Sequence, residues 1–219
     1  VIVGDGGVRA IDEDRTVAIF DPSAGLSIPN TMGLNRIPIL QARLAMADEK
    51  GSTITCNVDG NNEVSGLIIR NGRMKLDYRC ASTASISAPK SLDVPLYYKL
   101  IIPQDIIALL AKADKAVGAE HLTISCSSGN VIFELRDINN DVFEYEAGEL
   151  CTGIHTDAPS NFSYKYSIGA DTSTCVVGKR KDAIRRAFKL NPTSEFFITY
   201  KGMFAAKINN MMVYIPSKQ

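Results

Sequence analysis

Two segments of the chain share one pattern of apolar and polar residues. Residues 8–20 and residues 133–145 each contain an alternating apolar run, a short polar turn and a second alternating run. The turns open on Asp12 and Asp137, and a valine follows each aspartate by five positions. A predicted short helix followed by a predicted strand also recurs in each half. Because internal repeats constrain an architecture more than single residues do, the sequence predicts two similar halves.

The repeated halves predict two domains of ordinary size. A length of 219 residues allows one or two domains, and the duplication favours two, each with its own core. We expect a first domain over 1–84, an interdomain connector over 85–97 and a second domain over 98–219. Pro89 and Pro95 lie in a connector without helical periodicity, which is typical of an extended linker. The mixture of strand and helix patterns predicts an α+β fold with antiparallel sheets.

The two halves differ in what precedes the repeated pattern. A helix is predicted at 103–117, before the second copy. At the same spacing, the counterpart in the first half would lie before Val1. We therefore expect roughly 20–25 residues, including a helix, to precede Val1 in the complete repeat.

Charge and composition exclude several classes of protein. The chain has 24 Lys and Arg and 24 Asp and Glu, so its balanced charge argues against a uniformly basic protein that coats nucleic acid. The five cysteines are scattered without C-x-x-C spacing, which predicts reduced thiols and a cytoplasmic protein, in the host cytoplasm if the source is a virus. No apolar run approaches the ~20 residues of a membrane span, so we expect no membrane partner.

No arrangement of residues predicts catalysis. The chain has two histidines, His121 and His155, and neither has metal-ligand spacing around it. Asp12 and Asp137 are typical of turns in which an aspartate bonds its own backbone. The Gly178-Lys179 step lacks the earlier glycine and the Ser or Thr of a phosphate-binding loop. We therefore predict a protein that is not an enzyme, without catalytic residues, metal or cofactor.

One predicted helix, at 179–190, is strongly basic. It has a single acid, Asp182, and six cations: Lys179, Arg180, Lys181, Arg185, Arg186 and Lys189. The ordinary interpretation of such a charge run is a solvated helix face. However, like charges three or four positions apart repel by about 0.2–0.5 kcal/mol per pair, so a nearly uniform face favours an anionic partner. Such a face would bind nucleic acid through phosphates, without reading bases.

Several segments resemble the sliding-clamp family, of which proliferating cell nuclear antigen is a member. The hairpin at 7–19 resembles the one near the start of these clamps, and Val213–Lys218 resembles their last strand and tail. Residues 72–76, the proline-containing connector and residues 201–215 are more similar to the clamps of T-even-type bacteriophages. The resemblance extends over essentially the whole chain, in order and spacing.

The resemblance implies a DNA-clamp fold and a non-enzymatic function. Each subunit would have two similar domains with antiparallel sheets outside and short helices inside, and three subunits would close into a ring around duplex DNA. The ring would act as a DNA polymerase processivity factor that an ATP-dependent clamp loader places on DNA. The basic residues on the helices of both halves would line the channel: Arg43, Lys112, Lys115, Lys179, Arg180, Lys181, Arg185, Arg186 and Lys189.

Partners of such clamps bind through a short apolar-aromatic peptide in a pocket beneath the connector. By the same resemblance, the walls of that pocket would be Ile37, Val94, Leu96, Tyr214, Ile215 and Pro216. Ordinary packing between domains is the alternative explanation for these apolar side chains.

Two other functions remain open from the sequence. The same fold could tether RNA polymerase or repair factors to DNA, for transcription activation or repair rather than replication. A protein of another class, a two-domain α+β enzyme with an unrecognised site, would require a pocket with titratable groups.

Overall fold

The structure is a computed structural model of the chain. It describes residues 1–4, 7–12, 17–22, 30–47, 51–88, 94–167, 179–191 and 193–217, without the side chains of 167 and 179–182. The chain divides into two compact units. The first contains residues 1–11 and 20–90, and the second contains residues 12–19 and 91–219.

The first unit is a small sheet with one described helix. Its strands are β1 (Ile2–Gly4), β2 (Gly7–Ile11), β3 (Ala18–Asp21, shared at the division), β4 (Met32–Gly33), β5 (Ser52–Val58), β6 (Val64–Asn71) and β7 (Met74–Arg79). The helix is α1 (Ile37–Ala45), and a short 3-10 helix follows at Thr83–Ser85. Strand β6 pairs antiparallel with β5 and β7, and in parallel with β4 at Met32 and Val64. β1 pairs with both β2 and β4.

Local chemistry explains the helix and the hairpin of the first unit. Pro38 lies in the first turn of α1, where a missing N–H leaves no hydrogen bond unmade. Leu40 is the buried residue of α1 and packs with Met32, Val64 and Leu67. A tight turn joins β6 to β7, because their register closes at Asn71 and Met74.

In its described residues, the second unit contains two sheets and two helices. Its strands are β8 (Leu96–Ile101), β9 (His121–Ser127), β10 (Asn130–Arg136), β11 (Val142–Glu149), β12 (Cys151–Gly153), β13 (Asn161–Ser167), β14 (Glu195–Thr199), β15 (Phe204–Ile208) and β16 (Met211–Ile215). The order is β12-β8-β14-β15-β16 in one sheet and β11-β10-β9-β13 in the other. The helices are α2 (Gln104–Val117) and α3 (Lys179–Leu190).

The core of the second unit is aromatic at its centre. Phe188 of α3 meets Phe196 at 4.9 Å and Phe204 at 5.7 Å between ring centroids, both edge-on, which is a favourable arrangement of aromatic rings. Gly202 in the turn between β14 and β15 has φ +72°, and a Cβ there would lie 2.3 Å from the ring of Tyr164. The turn therefore requires glycine both for its backbone and for its space.

The structure differs from the sequence-based boundaries at a few places. β8 begins at Leu96, inside the segment predicted as connector. The helix predicted at 103–117 begins one residue later, because Pro103 occupies the N-cap of α2, and Gly118 ends it in the left-handed conformation. β4 and β12, of two and three residues, are too short to leave a periodic signal in the sequence.

Candidate nucleic-acid interface

Helices α2 and α3 lie against each other in the second unit. α2 also contacts β10 and β11, and α3 contacts β13, β15 and β16. The apolar stripe of α2 buries Ile106, Leu110 and Ala113, at the spacing of one helix face. On α3 the buried side chains are Ile184 and Phe188, with Ala187. Because these stripes face the sheets, the polar sides of both helices face outward.

The outward sides of the two helices carry the predicted cations. Lys112 and Lys115 of α2 are exposed, and so are Arg186 and Lys189 of α3. Arg185 is also exposed, with 47% of its side-chain surface accessible. These five residues form what we call the basic face of the second unit. Its cations attract anions through a field that is strongest at low ionic strength.

A groove with an apolar floor runs between the two helices. Its volume is about 610 Å³. The floor consists of apolar side chains from both helices and two strands: Ile107, Leu110, Ala111, Leu122, Leu135, Ile184 and Phe188. The rim carries four cations: Lys115, Arg185, Arg186 and Lys189. The groove therefore holds the cations of α2 and α3 close together on one surface.

One acid, Asp114, interrupts the basic face. Its carboxylate Oδ2 lies 3.5 Å from Nη1 of Arg185, and only 8% of its side chain is exposed. A buried carboxylate needs a charged or hydrogen-bonding partner, so this pair links α2 to α3. The sequence contained a signal for it, because Asp114 follows Leu110 and Ala113 on the apolar side of α2. An acid at such a position indicates a cation on the facing element.

The three cations at the start of α3 are only partly described. Lys179, Arg180 and Lys181 lie in the helix, but their side chains are outside the described residues. Their predicted contact with DNA stays a prediction.

Arg43 lies in the first unit, on α1. Its guanidinium donates a hydrogen bond to the carbonyl oxygen of Asp77 and lies 5.9 Å from the ring centroid of Tyr78. The side chain is half-buried. Its predicted role as a channel-lining residue is untested, and in this structure its charge is directed at strand β7.

The residues predicted for a partner pocket belong to both units and differ in burial. Ile37 is a half-buried residue of the first unit. In the second unit, Ile215 is fully buried and Tyr214 is 6% exposed, both within β16. The others are half-buried residues of the second unit: Val94, Leu96 and Pro216. Core packing accounts for Ile215, and the pocket stays a prediction.

Sequence reasoning missed an aromatic cluster on the second unit. Tyr97 stacks on the imidazole of His155 at 4.6 Å and lies 5.2 Å from the ring of Tyr200, which is 58% exposed. The N–H of Tyr200 donates to the carbonyl of Pro95 at 3.0 Å. Three residues from distant parts of the chain meet there, so no local pattern could have predicted the cluster.

Both units contain thiols with a raised pKa. Burial raises the pKa of Cys80 to about 11, and the nearby Cys56 adds to the effect. Burial also raises the pKa of Cys151 to about 12, with Cys126 as a neighbour and hydrogen-bonding partner. Thiols of such high pKa are protonated at neutral pH, and protonated thiols are poor nucleophiles and metal ligands.

The described residues offer no candidate metal site. They contain no group of three or more His, Cys, Asp or Glu side chains that could hold a metal ion. Among the helices that are described, none is long and apolar enough to cross a membrane.

Each unit has a strand whose outer edge is unpaired among the described residues. β7 pairs with β6, and β11 pairs with β10. Cys80 N–H donates to the Ser65 carbonyl, which fixes the alternation in β7, so the backbone groups of Lys75, Asp77 and Arg79 point outward. The same alternation in β11, fixed by Asp137 N–H to Asp141, turns the groups at 142, 144 and 146 outward.

The fold resembles that of a known solved structure. The crystal structure of proliferating cellular nuclear antigen from Entamoeba histolytica matches with a TM-score of 0.60 and 13% sequence identity, over 100% of this chain and 88% of that chain. No protein-family model and no curated protein matches the sequence.

The match over the whole chain defines the fold. This chain has the α+β fold of proliferating cell nuclear antigen, a sliding-clamp-like fold built mainly from sheets with a few helices. The predicted fold class is therefore confirmed. The bacteriophage subtype stays a prediction.

Proposed function

We propose that this protein is a sliding clamp: three copies close into a ring around duplex DNA and tether a DNA polymerase to it. The observation that carries the proposal is the basic face of the second unit, within a clamp-like fold. Lys112, Lys115, Arg186 and Lys189 are exposed cations on two adjacent helices. Cations of this kind bind the phosphate backbone and carry no sequence information, as a ring that slides requires.

The two outer strand edges support ring formation. β11 carries three exposed acids, Glu144, Glu146 and Glu149. β7 carries exposed Lys75 and Arg79 beside Asp77. An antiparallel pairing can set Lys75 opposite Glu144. The same register sets Arg73 opposite Glu146 and Asp77 opposite Val142, so no like charges meet. Opposite charges across strands stabilise such a pair.

The interface joins different strands of two copies, so it is head-to-tail. A head-to-tail interface generates a ring if its rotation closes. Pairing β7 of one copy with β11 of the next removes both exposed edges, which otherwise favour aggregation. A ring of three copies with two units each would thus have no unpaired β7 or β11 edge.

The proposed partners follow from the same function. A polymerase would hold the ring through a short apolar-aromatic peptide, and an ATP-dependent loader would open the ring on DNA. The proposal assigns no catalytic group to the chain, because the clamp holds its partners and carries no chemistry of its own.

The first test is the mass of the protein in solution by light scattering, over a concentration series at moderate salt. We expect three times the mass of a 23.8 kDa chain at high concentration. The matched variant Glu144→Lys/Glu146→Lys should shift the series toward monomer, because cations would then face cations across the strand pair. A protein that stays monomeric at all concentrations would contradict the ring.

The second test concerns DNA. The ring is expected to be retained on circular duplex and to slide off linear duplex after loading. Direct binding to short duplex should weaken in the variant Arg186→Gln/Lys189→Gln, with the slope of log K against log salt reduced by about 0.9 per lost phosphate contact. The control Lys165→Gln/Lys207→Gln removes two exposed cations from strands instead of α3. Equal losses in both variants would argue against a specific basic face.

A further inference from the structure

Two arginines cover the outer edge of β7. Arg36 Nη2 donates to the carbonyl oxygen of Arg79 at 3.1 Å, and Arg43 Nη1 donates to the carbonyl oxygen of Asp77. One step further along the chain, Ala81 N–H donates to the Gly33 carbonyl at 3.0 Å. Residues of α1 and of the segment before it therefore close the same side of β7 on which a new strand would have to pair.

The carbonyls that the arginines hold are the outward ones. Asp77 and Arg79 occupy positions whose backbone groups point away from β6, whereas Tyr78 points toward β6 and pairs with Leu67. An incoming strand would use the outward carbonyls as acceptors. In the register that sets Asp77 opposite Val142, the guanidinium of Arg43 occupies an acceptor that strand pairing requires. Arg36 holds the next outward carbonyl, beside the end of the paired segment.

Tyr78 holds the arginines in position. Its side chain is 1% exposed, and the guanidinium carbons of Arg36 and Arg43 lie 5.5 Å and 5.9 Å from its ring centroid. Its hydroxyl donates to the carbonyl of Asn35. Cation–π contacts of this kind are attractive but modest, so an arrangement that depends on them can be displaced.

The backbone of Arg36 is unusual for its residue type. Arg36 has φ 46° and ψ 44°, the left-handed conformation, at the N-cap of α1. A non-glycine residue in this conformation is strained. Its carbonyl accepts hydrogen bonds from Ile39 and Leu40, and these hold the conformation that aims its side chain at Arg79.

We propose that Arg36 and Arg43 form an arginine clasp that caps the outer edge of β7 in the free chain and is displaced when β11 of a second copy pairs there. The inference rests on the proposed ring. Within the described residues, no ion pair joins either guanidinium to a carboxylate. The exposed acids Glu144 and Glu146 on β11 would supply that partner once the carbonyls are released.

The clasp selects its occupant by charge. A capped edge resists pairing with an arbitrary strand, because displacement costs charge-assisted hydrogen bonding to the edge. A strand that brings carboxylates replaces those bonds with ion pairs, and a neutral strand does not. The clasp therefore protects the free edge while it permits pairing with an acidic strand.

The direct experiment follows the arginine side chains by NMR in the unaltered protein. Nitrogen-15 signals of the Arg36 and Arg43 side chains are recorded across the concentration range over which the chain assembles. We expect both signals to move in proportion to the assembled fraction, while the signal of Arg70, outside the edge, stays constant. Assembly with unmoved Arg36 and Arg43 signals would overturn the clasp and leave the ring intact. No assembly at any concentration would overturn the ring and the clasp with it.

A variant isolates the capping effect from charge attraction. At about 1 M salt the screening length is near 3 Å, so exposed ion pairs contribute little. Under these conditions we expect Arg43→Gln to assemble roughly tenfold more tightly than the parent, the equivalent of one hydrogen bond that no longer needs to break. The control Arg70→Gln loses the same charge from an exposed position of β6, outside the pairing edge, and should assemble like the parent. Equal behaviour of the two variants would overturn the clasp. If Arg43→Gln does not fold, Arg43→Lys, which keeps the charge, replaces it in the same comparison.

Discussion

The two units of the chain differ in how fully their sheets are covered. In the second unit, two sheets and two helices enclose a core with Phe133, Tyr166, Phe196 and Phe204 completely buried. In the first unit, the described core is a small cluster around Val64, and α1 is the one α-helix among the described residues.

The exposed strand β5 shows the consequence in the first unit. Ile54 is 54% exposed and Val58 is 46% exposed, although both are apolar. Less burial means less hydrophobic stabilisation per residue. We therefore expect the two units to have unequal stability despite their similar sequence patterns, with the first unit the weaker one.

The largest expected effect tests the core of the second unit. Phe204→Ala should lower the free energy of unfolding by about 3–5 kcal/mol, because it removes a fully buried ring that contacts Phe188 and Phe196. Urea unfolding followed by circular dichroism measures it. The control Leu190→Ala, at a residue 59% exposed, should change stability by less than about 0.5 kcal/mol. A loss below about 1 kcal/mol for Phe204→Ala would contradict the assigned core.

A smaller loss is expected from the matching change in the first unit. Leu40→Ala should cost about 2–3 kcal/mol, since Leu40 is the buried anchor of α1 but belongs to a smaller cluster. Hydrogen exchange of the first unit reports it, because this unit should open locally before the second one. The control is Leu44→Ala, at a residue of the same helix that is 38% exposed. Equal or larger loss from Leu40→Ala than from Phe204→Ala would reverse the comparison.

Alkaline pH should weaken both units, and the second one more. Folding raises the pKa of Cys80 to about 11, and of Cys151 and Tyr98 to about 12, mainly through burial. Groups with a raised folded pKa stabilise the fold below their unfolded pKa, which is 9.0 for the thiols, and lose that contribution progressively as pH rises from that value through the folded pKa of about 11 to 12.

Allowing for solvent screening, we expect a loss of about 1 kcal/mol per buried thiol near pH 10. Urea unfolding at pH 7.5, 9 and 10.5 under reducing conditions measures the trend. Stability that rises between pH 9 and 10.5 would show that the thiols are not buried as described.

The smallest expected effect concerns the acid within the basic face. Asp114→Asn should lower the free energy of unfolding by only about 1 kcal/mol, because Arg185 is half-exposed and water can solvate it when the carboxylate is absent. It should also tighten binding to short duplex DNA about two- to threefold at low salt, since one negative charge leaves the groove. Fluorescence anisotropy measures the affinity, and Asp105→Asn, an exposed acid of the same helix, is the control. Weaker binding by Asp114→Asn would show that the pair with Arg185 orients the face instead.

Much of the secondary structure could be predicted from local patterns. The apolar spacing of Ile106, Leu110 and Ala113 located α2, since a helix period depends on near neighbours. Short strands such as β4 could not be found, because two residues have no period and pair only through distant partners.

The candidate site was predictable only in part. Helical spacing located the exposed sides of α2 and α3, and with them the exposed cations. The pairing of Asp114 with Arg185 joins residues 71 positions apart, and Arg43 with Asp77 joins residues 34 apart. Such contacts depend on how elements pack, which one sequence does not record.

The sequence by itself determined the α+β class and the sign of charge on each helix, because these properties follow from near neighbours and residue type. Only the tertiary structure decided which cations share a face and which arginine lies on a strand edge instead. Arg43 has the same charge as Arg186, but its guanidinium lies on the edge of β7 while Arg186 remains on an exposed face. The physical reason is that the role of a charge depends on the groups packed around it, and those groups come from distant parts of the chain.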